Sequence, residues 1–404
     1  MTFQLDPTTT LPTDGTSGTL LGRVWRPDVE GPSVIALRPD GCYDVSHAFP
    51  TVRDLCEARN PAAAIAVAKG ERIGDIKSIL ANTPEHSRDP SKAYLLAPID
   101  LQAVKAAGVT FATSLLERVI EEQARGEPQR AAAVRVEVEA AIAGAVGSLK
   151  PGSPEAAALK QLLIAKGMWS QYLEVGIGSD AEIFTKSQPM SGVGSGAAVG
   201  ILRSSVWNNP EPEVVLVVNS RGEIVGATLG NDVNLRDIEG RSALLLSKAK
   251  DNNASAAIGP FLRLFDRTFS LDDVRKAEVT LTVKGPDGFV LNGRSAMARI
   301  SRDPADLVAH MLGPHHSYPD GAVLFLGTMF APVQDRDAPG KGFAHHVGDV
   351  VTIACDPLGS LTNLVTYAEL APPWTFGVGA LMRNLAVRGL LSQQTRECGY
   401  LSCR

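Results

Sequence analysis

The sequence predicts an α+β protein with a large mixed or antiparallel β core, a small α+β N-terminal domain and a helical insertion. Three observations predict it. Beyond Tyr172, apolar runs of strand length follow one another, joined mostly by turns: "YLEVGIG", "AEIFTK", "VVLVVNSRGEIVGATLG", "AEVTLTVKGPDGFVLNG", "GAVLFLGT" and "GDVVTIACDPLGSLTNLV". Arg-Gly and Asp-Gly at the centres of two of these mark hairpins, which argues against a doubly wound parallel sheet. Between Val109 and Gly167, by contrast, apolar residues recur at helical spacing.

In chain order, "GRVWRPDVEGPSVIALRPDGCYDVSHAF" reads as short strands between Pro/Gly turns, and "TVRDLCEARNPAAAIAVAKG" as helix then turn. These form the N-terminal domain, residues 1–98, which ends near "YLLAPIDLQAV". Residues 99–375 form the main domain, with its helical insertion at about 110–167. There "ATSLLERVIEEQARG" stops at Gly126, "PQRAAAVRVEVEAAIAGAVGSL" is a second helix, and "SPEAAALKQLLIAKGMW" opens on a Ser-Pro-Glu cap. "GRSALLLSKAK" and "SRDPADLVAHML" are the helical stretches of the β-rich part. Residues 376–404 hold an amphipathic helix, "ALMRNLAVRGLL", and the tail "SQQTRECGYLSCR", expected to be disordered.

Composition narrows the partners. A net charge of −5 with scattered Lys and Arg argues against nucleic acid. No apolar run approaches membrane-spanning length, and the N-terminus lacks a signal peptide's basic and apolar regions. Five cysteines without a CxxC pair point to neither a disulfide framework nor a zinc ribbon, so a cytoplasmic location is expected. All seven histidines lie outside Ser87–Ala309.

The acids of "NNPEPEVVLVVNSRGEIVGATLGNDVNLRD" are the main chemical signal. Glu211 and Glu213 are two apart on a strand and share a face. With the turn at Arg221, Asp232 falls opposite residue 210, beside both glutamates. Three such carboxylates repel by roughly 1–4 kcal/mol per close pair. Acids at strand ends are often simply solvated, but these adjoin nearly continuous apolar sequence and are expected to be buried. A hard divalent cation such as Mg²⁺ suits this all-oxygen set. Other motifs weigh less. "MSGVGSGAAVG" lacks the helix and GK[ST] of a phosphate loop. The pairs His315/His316 and His345/His346 lack HxxxH spacing. Lys186 and Lys250 are either solvated surface groups or ligands for a substrate carboxylate or enolate.

The ordered motifs "NPEPEVVLVV", "GNDVNLRD", "KAKDNNASAAIGPF", "LFLGT" and "GDVVTIACDPLGSLTNLV" resemble the C-terminal domain of the fumarylacetoacetate hydrolase superfamily. The resemblance implies a mixed β-roll and a Mg²⁺ or Mn²⁺ ion held by Glu211, Glu213 and Asp232. It also implies α-keto or diketo acid substrates and a homodimer. Lys250, Lys186, Arg236 and Thr328 resemble the family's substrate-contacting residues, by their places in "ND…RD…K", "FTK", "NDVNLRD" and "LGT".

One departure sets the expected activity. Hydrolytic members with a lid carry "NYxxHxxE", whose His and Glu activate water. Here "TFATSLLE" puts Ser114 where that His would be and keeps Glu117. The wording is most similar to that of the superfamily's 2-keto-3-deoxy sugar-acid dehydratases. A dehydratase needs a stabilised enolate and a proton shuttle but no activated water. The resemblance thus implies a Mg²⁺-dependent lyase on a 2-keto-3-deoxypentonate, with Lys250 or Glu117 taking the C3 proton. Glu117 then assists loss of the C4 hydroxyl, toward 2-oxoglutarate semialdehyde. A hydrolase cleaving a 2,4-diketo acid is the alternative, and an imidazole near the metal would favour it.

Overall fold

The hairpin Pro212–Val218 and Ile224–Asp232 lies inside an 11-stranded sheet. Its apolar run cannot face water on either side, and both sides are covered. Val214, Leu216 and Val218 share a core with Leu281, Val283 and Ile353 of a second, five-stranded sheet. Val215 and Val217 face the other way, in a core with Val323, Phe325 and the helical residues Leu55 and Ile65. Each such buried side chain contributes roughly 1.5–3 kcal/mol, so the hairpin is a rigid platform for whatever its end carries. The structure, a computed structural model, describes residues 2–138, 140, 149–165, 167–330 and 332–391.

From one edge, the large sheet runs Glu71–Gly74, Gly41–Asp44, Gly31–Arg38, Leu20–Arg26, Ala256–Leu264 and the hairpin. It continues through Ala322–Phe325 and Ala103–Gly108 to Glu182–Ser187. The sheets are mixed: Ala322–Phe325 lies parallel to Ala103–Gly108, and Gly359–Tyr367 parallel to Ala198–Ile201, among otherwise antiparallel pairs. Leu20–Arg26 pairs with Ala256–Leu264, in register Leu20↔Arg263, so one sheet runs across the boundary expected near residue 98.

The helical insertion follows Gly108. Ala112–Gln123 ends where Arg125 (φ 54°) and Gly126 (φ 70°) turn left-handed, as the glycine predicts. Leu115, Val119 and Ile120 share a core with Leu173 and Ile177. Helices Pro128–Val138 and Pro154–Ala165 continue the insertion; residues 141–148 of the Ala-rich stretch lie outside the described residues, as does the tail 392–404. "YLEVGIG" corrects the expectation of a strand, for Gln171–Ile177 is helical. Ser170 caps it through Tyr172 N, and Tyr172, Leu173, Gly176 and Ile177 bury one helical face.

Candidate metal centre and the cleft around it

Val218↔Ile224 keeps the register expected from a turn at Arg221, but a bulge beside Val217/Val218 displaces the rest by one residue. Glu213 therefore pairs with Gly230, and Asp232 N donates to Glu211 O (3.0 Å). Asp232 stands opposite Glu211 itself, a correction to the register predicted. Glu211, Glu213 and Asp232 are all buried, each offering a carboxylate oxygen within 4.8 Å of the others.

The sequence suggested that only a bound cation would offset three such charges. The protein supplies cations of its own. Lys250 Nζ bridges Glu211 (2.6 Å) and Asp232 (3.1 Å). Lys186 Nζ meets Asp232 at 2.7 Å, and the Arg118 guanidinium meets Glu211. Burial pushes the Asp232 carboxyl up, but Lys186 and Lys250 outweigh it and hold the group below its usual range. Burial likewise opposes the Lys250 charge, and Asp232 and Glu211 more than restore it. Lys250 is thus a firmly protonated ammonium. Glu213 is the exception: it accepts from Gly327 N (2.7 Å) and forms no ion pair among the described residues. Burial, with Asp232 and Glu211 beside it, pushes its carboxyl well above the carboxylate range.

Removing the shared cation is therefore costly. Lys250→Met is expected to lose about 3–5 kcal/mol of metal-free stability, the scale of a broken buried ion pair. Urea denaturation in EDTA measures it; a loss below about 1 kcal/mol would mean that Lys186 and Arg118 suffice.

The cleft is lined by the three acids, Ser114, Arg118, Glu182, Glu239, Lys250 and Thr328. Glu117, Lys186 and Arg236 lie behind that lining. Glu117 is held by Arg135 and by Arg236 Nη2 (2.7 Å), which outweigh burial and keep its carboxyl below the usual range. Arg236 also donates to Glu121 (2.6 Å) and Pro332 O (3.0 Å), with its guanidinium 4.4 Å over the Trp207 ring. Lys186 donates to Val233 O (3.1 Å) and Lys250 O (2.6 Å) besides pairing with Asp232. Both are fully engaged supports. Ser114 Oγ donates to Phe111 O (2.9 Å) at the helix start, and Thr328 Oγ1 to Phe330 O (2.9 Å).

Arg118, Glu182 and Glu239 were missed, though two carried a signal. Arg118 is four residues beyond Ser114 on one helix face. Glu182 alternates with Phe184 and Lys186 along one strand face. Burial first, then Glu239, pushes the Glu182 carboxyl up to about 7. Two glycines make room: a Cβ at Gly108 would collide with the Glu182 carboxylate, and one at Gly327 (φ 94°) with Thr110 Oγ1.

The space left within the cleft is about 10 Å³ measured to the centre of a water molecule, room for one water or ion. Of the helix Ala112–Gln123, Ser114 and Arg118 line this space. The donor set fits a hard divalent cation: three clustered carboxylates, one of them in no ion pair among the described residues. No histidine lines the cleft; the His345 ring is hydrogen-bonded through Nδ1 to Asp349 (2.9 Å), and its backbone N–H donates to Asn208 Oδ1 (3.0 Å).

A mixed β-roll with a buried all-oxygen ligand set defines a candidate metalloenzyme. Residues 180–366, a little under half of the chain, match the model for the fumarylacetoacetate (FAA) hydrolase C-terminal family. A probable 2-keto-3-deoxyxylonate dehydratase of Haloferax volcanii is 32% identical over 199 residues, 49% of this chain and 65% of that protein. The 2-dehydro-3-deoxy-D-arabinonate dehydratase of Saccharolobus solfataricus is 29% identical over 187 residues, 46% of this chain and 58% of that protein. The match thus spans less than two thirds of either relative. Among solved structures, 2-keto-3-deoxy-D-arabinonate dehydratase complexed with magnesium and 2,5-dioxopentanoate has a TM-score of 0.58 at 20% identity. It covers 86% of this chain and 99% of that one, a likeness of fold.

Proposed function

We propose that the protein is a Mg²⁺-dependent dehydratase acting on a 2-keto-3-deoxy sugar acid, most suitably a 2-keto-3-deoxypentonate. The cleft lining carries the reading: the three clustered carboxylates, an ammonium, a guanidinium, two hydroxyls and two further carboxyls of raised pKa, with no imidazole. A hydrolase of the lid type needs an imidazole–carboxylate pair to activate water. A dehydratase needs one group that removes a proton from C3 and returns it to the departing C4 hydroxyl. The names of the two curated relatives point the same way.

Glu211, Glu213 and Asp232 would hold Mg²⁺ or Mn²⁺, which when bound supplies Lewis-acid polarisation of the keto acid. Lys250 and Thr328 receive the substrate carboxylate. Glu182, with its carboxyl near 7, takes the C3 proton and passes it to the C4 hydroxyl, which leaves as water. Tautomerisation then gives 2,5-dioxopentanoate, so the net change is loss of one water. Ser114, freed from Phe111 O as the lid moves, orients a substrate hydroxyl. Glu117, with Arg236, positions the lid helix, and Lys186 steadies Asp232. The C3 proton expected to go to Lys250 or Glu117, and the C4 step expected of Glu117, are in this reading given to Glu182.

The deciding experiment is a screen of 2-keto-3-deoxy acids and 2,4-diketo acids, with and without EDTA. Turnover of the former, lost in EDTA and restored by Mg²⁺, is expected; cleavage of acylpyruvates alone would overturn the proposal. The same reading includes a homodimer and a cytoplasmic location. Exposed Val378, Met382 and Val387 on the C-terminal helix support the first, and three free, buried cysteines the second. No helix among the described residues is long and apolar enough to cross a membrane.

A further inference from the structure

A second cavity, of about 380 Å³, shares no lining residue with the cleft. Its volume falls within the range of small-molecule pockets. It lies where the glycine-rich turn Met190–Gly194 meets the N-terminal strands and the segment Pro372–Phe376. Four aromatic rings line it: Trp25, Tyr94, Trp374 and Phe376. Trp25 and Phe376 meet edge to face, with centroids 5.2 Å apart, and Trp374 is 46% exposed at the rim.

Two guanidiniums lie among these rings. Arg23 is 6% exposed and donates to Ile99 O (3.0 Å) and Met190 Sδ (3.5 Å). Arg88 stacks 3.9 Å over the Tyr94 ring and donates to Thr83 O, while its Nε is buried without a partner. Neither forms an ion pair among the described residues. Among the other buried arginines, Arg118, Arg236, Arg263 and Arg336 each hold a carboxylate, while Arg302 is taken up by the carbonyls of Val175, Gly178 and Ser179. Asp100, whose charge favours that of Arg23 from a distance, accepts from the N–H groups of Val52 (2.6 Å), Arg53 (3.1 Å) and Leu101 (2.7 Å). A buried cation without a counter-ion is costly, and here the missing charge faces a ready cavity.

We propose that this cavity is a second ligand site for a small planar carboxylate, its flat apolar body among the four rings and its anionic head on Arg23 and Arg88. The lining also includes Glu85, which accepts from Ala198 N (3.0 Å), so two guanidiniums and one carboxylate leave a single positive charge. That favours a monoanion over a phosphate dianion. Aromatic walls favour an unsaturated body over a polyhydroxylated chain, so the ligand differs in class from the sugar acid of the cleft.

The test is titration of the Mg²⁺-loaded full chain with 2-naphthoate, followed by calorimetry and by quenching of tryptophan fluorescence. One molecule per chain is expected, with neutral 2-naphthamide at least tenfold weaker and inorganic phosphate not competing. Arg88→Met should weaken 2-naphthoate at least tenfold and Trp374→Ala severalfold, while Glu213→Ala binds it as the wild type does. Equal affinity for acid and amide, displacement by phosphate, or no saturable binding overturns the proposal. So does loss of binding in Glu213→Ala, which would place the ligand in the cleft. The acid–amide comparison uses wild-type protein, so it stands even if a variant misfolds, and it reads no catalysis.

Discussion

Glu213→Ala is expected to lower turnover by about 10³-fold or more, the scale of losing several kcal/mol of charge stabilisation. It should also abolish the rise in melting temperature that Mg²⁺ gives the wild type by binding the native state alone. The metal-free fold should survive, because Glu213 forms no ion pair among the described residues and the Gly327 N–H is the hydrogen-bond partner it leaves. The pH dependence has a definite sign. Glu213 titrates higher folded than unfolded, so the folded state binds its proton more tightly. Metal-free stability is then lost as pH rises through the folded value, and the alanine variant lacks that decline. Equal Mg²⁺-induced shifts in the two proteins would remove Glu213 from the ligand set.

Glu182→Gln keeps the side chain's size but cannot carry a proton. Turnover should fall roughly 10²–10⁴-fold, the usual range for a general acid–base group. In the wild type, kcat/KM should rise with pH through about 7 as Glu182 becomes the proton-accepting carboxylate, and the variant should lack that limb. Glu117→Gln provides the contrast. It breaks two buried arginine contacts, so stability should fall by about 1–3 kcal/mol while the pH limb persists. A limb that vanishes in Glu117→Gln but not in Glu182→Gln would return the proton transfers to Glu117.

The hairpin and its acids were legible because two nearly continuous apolar runs, an Arg-Gly turn and three carboxylates sit within one short stretch. The bulge beside Val217/Val218 was not, since one extra residue leaves no mark in an apolar run. "YLEVGIG" misled for a related reason: seven apolar-rich residues suit either period, and the deciding cap, Ser170, lies just before them. Charge partners were the hardest to foresee. Arg118 reaches Glu211 across 93 positions of sequence and Lys186 reaches Asp232 from another strand, so closure of the fold alone brings them together. Glu182 passed unnoticed because an isolated acid at a strand start is usually solvated. Its raised pKa comes from Glu239 and burial, both supplied by distant segments.

Arg118 belongs to the lid helix yet pairs with Glu211, an acid assigned to the metal. If Glu211 holds the ion, cation loading and docking of the helix Ala112–Gln123 draw on the same carboxylate and are expected to oppose each other. Reciprocity follows: whatever the docked helix subtracts from Mg²⁺ affinity, Mg²⁺ subtracts from docking. With Glu211 as a ligand of the ion, loading would loosen the Arg118–Glu211 contact that holds the helix Ala112–Gln123. Arg118→Met should tighten Mg²⁺ binding in calorimetry while raising amide exchange across Ala112–Gln123. Weaker Mg²⁺ binding in that variant would show the arginine to be an ally of the ion rather than its rival.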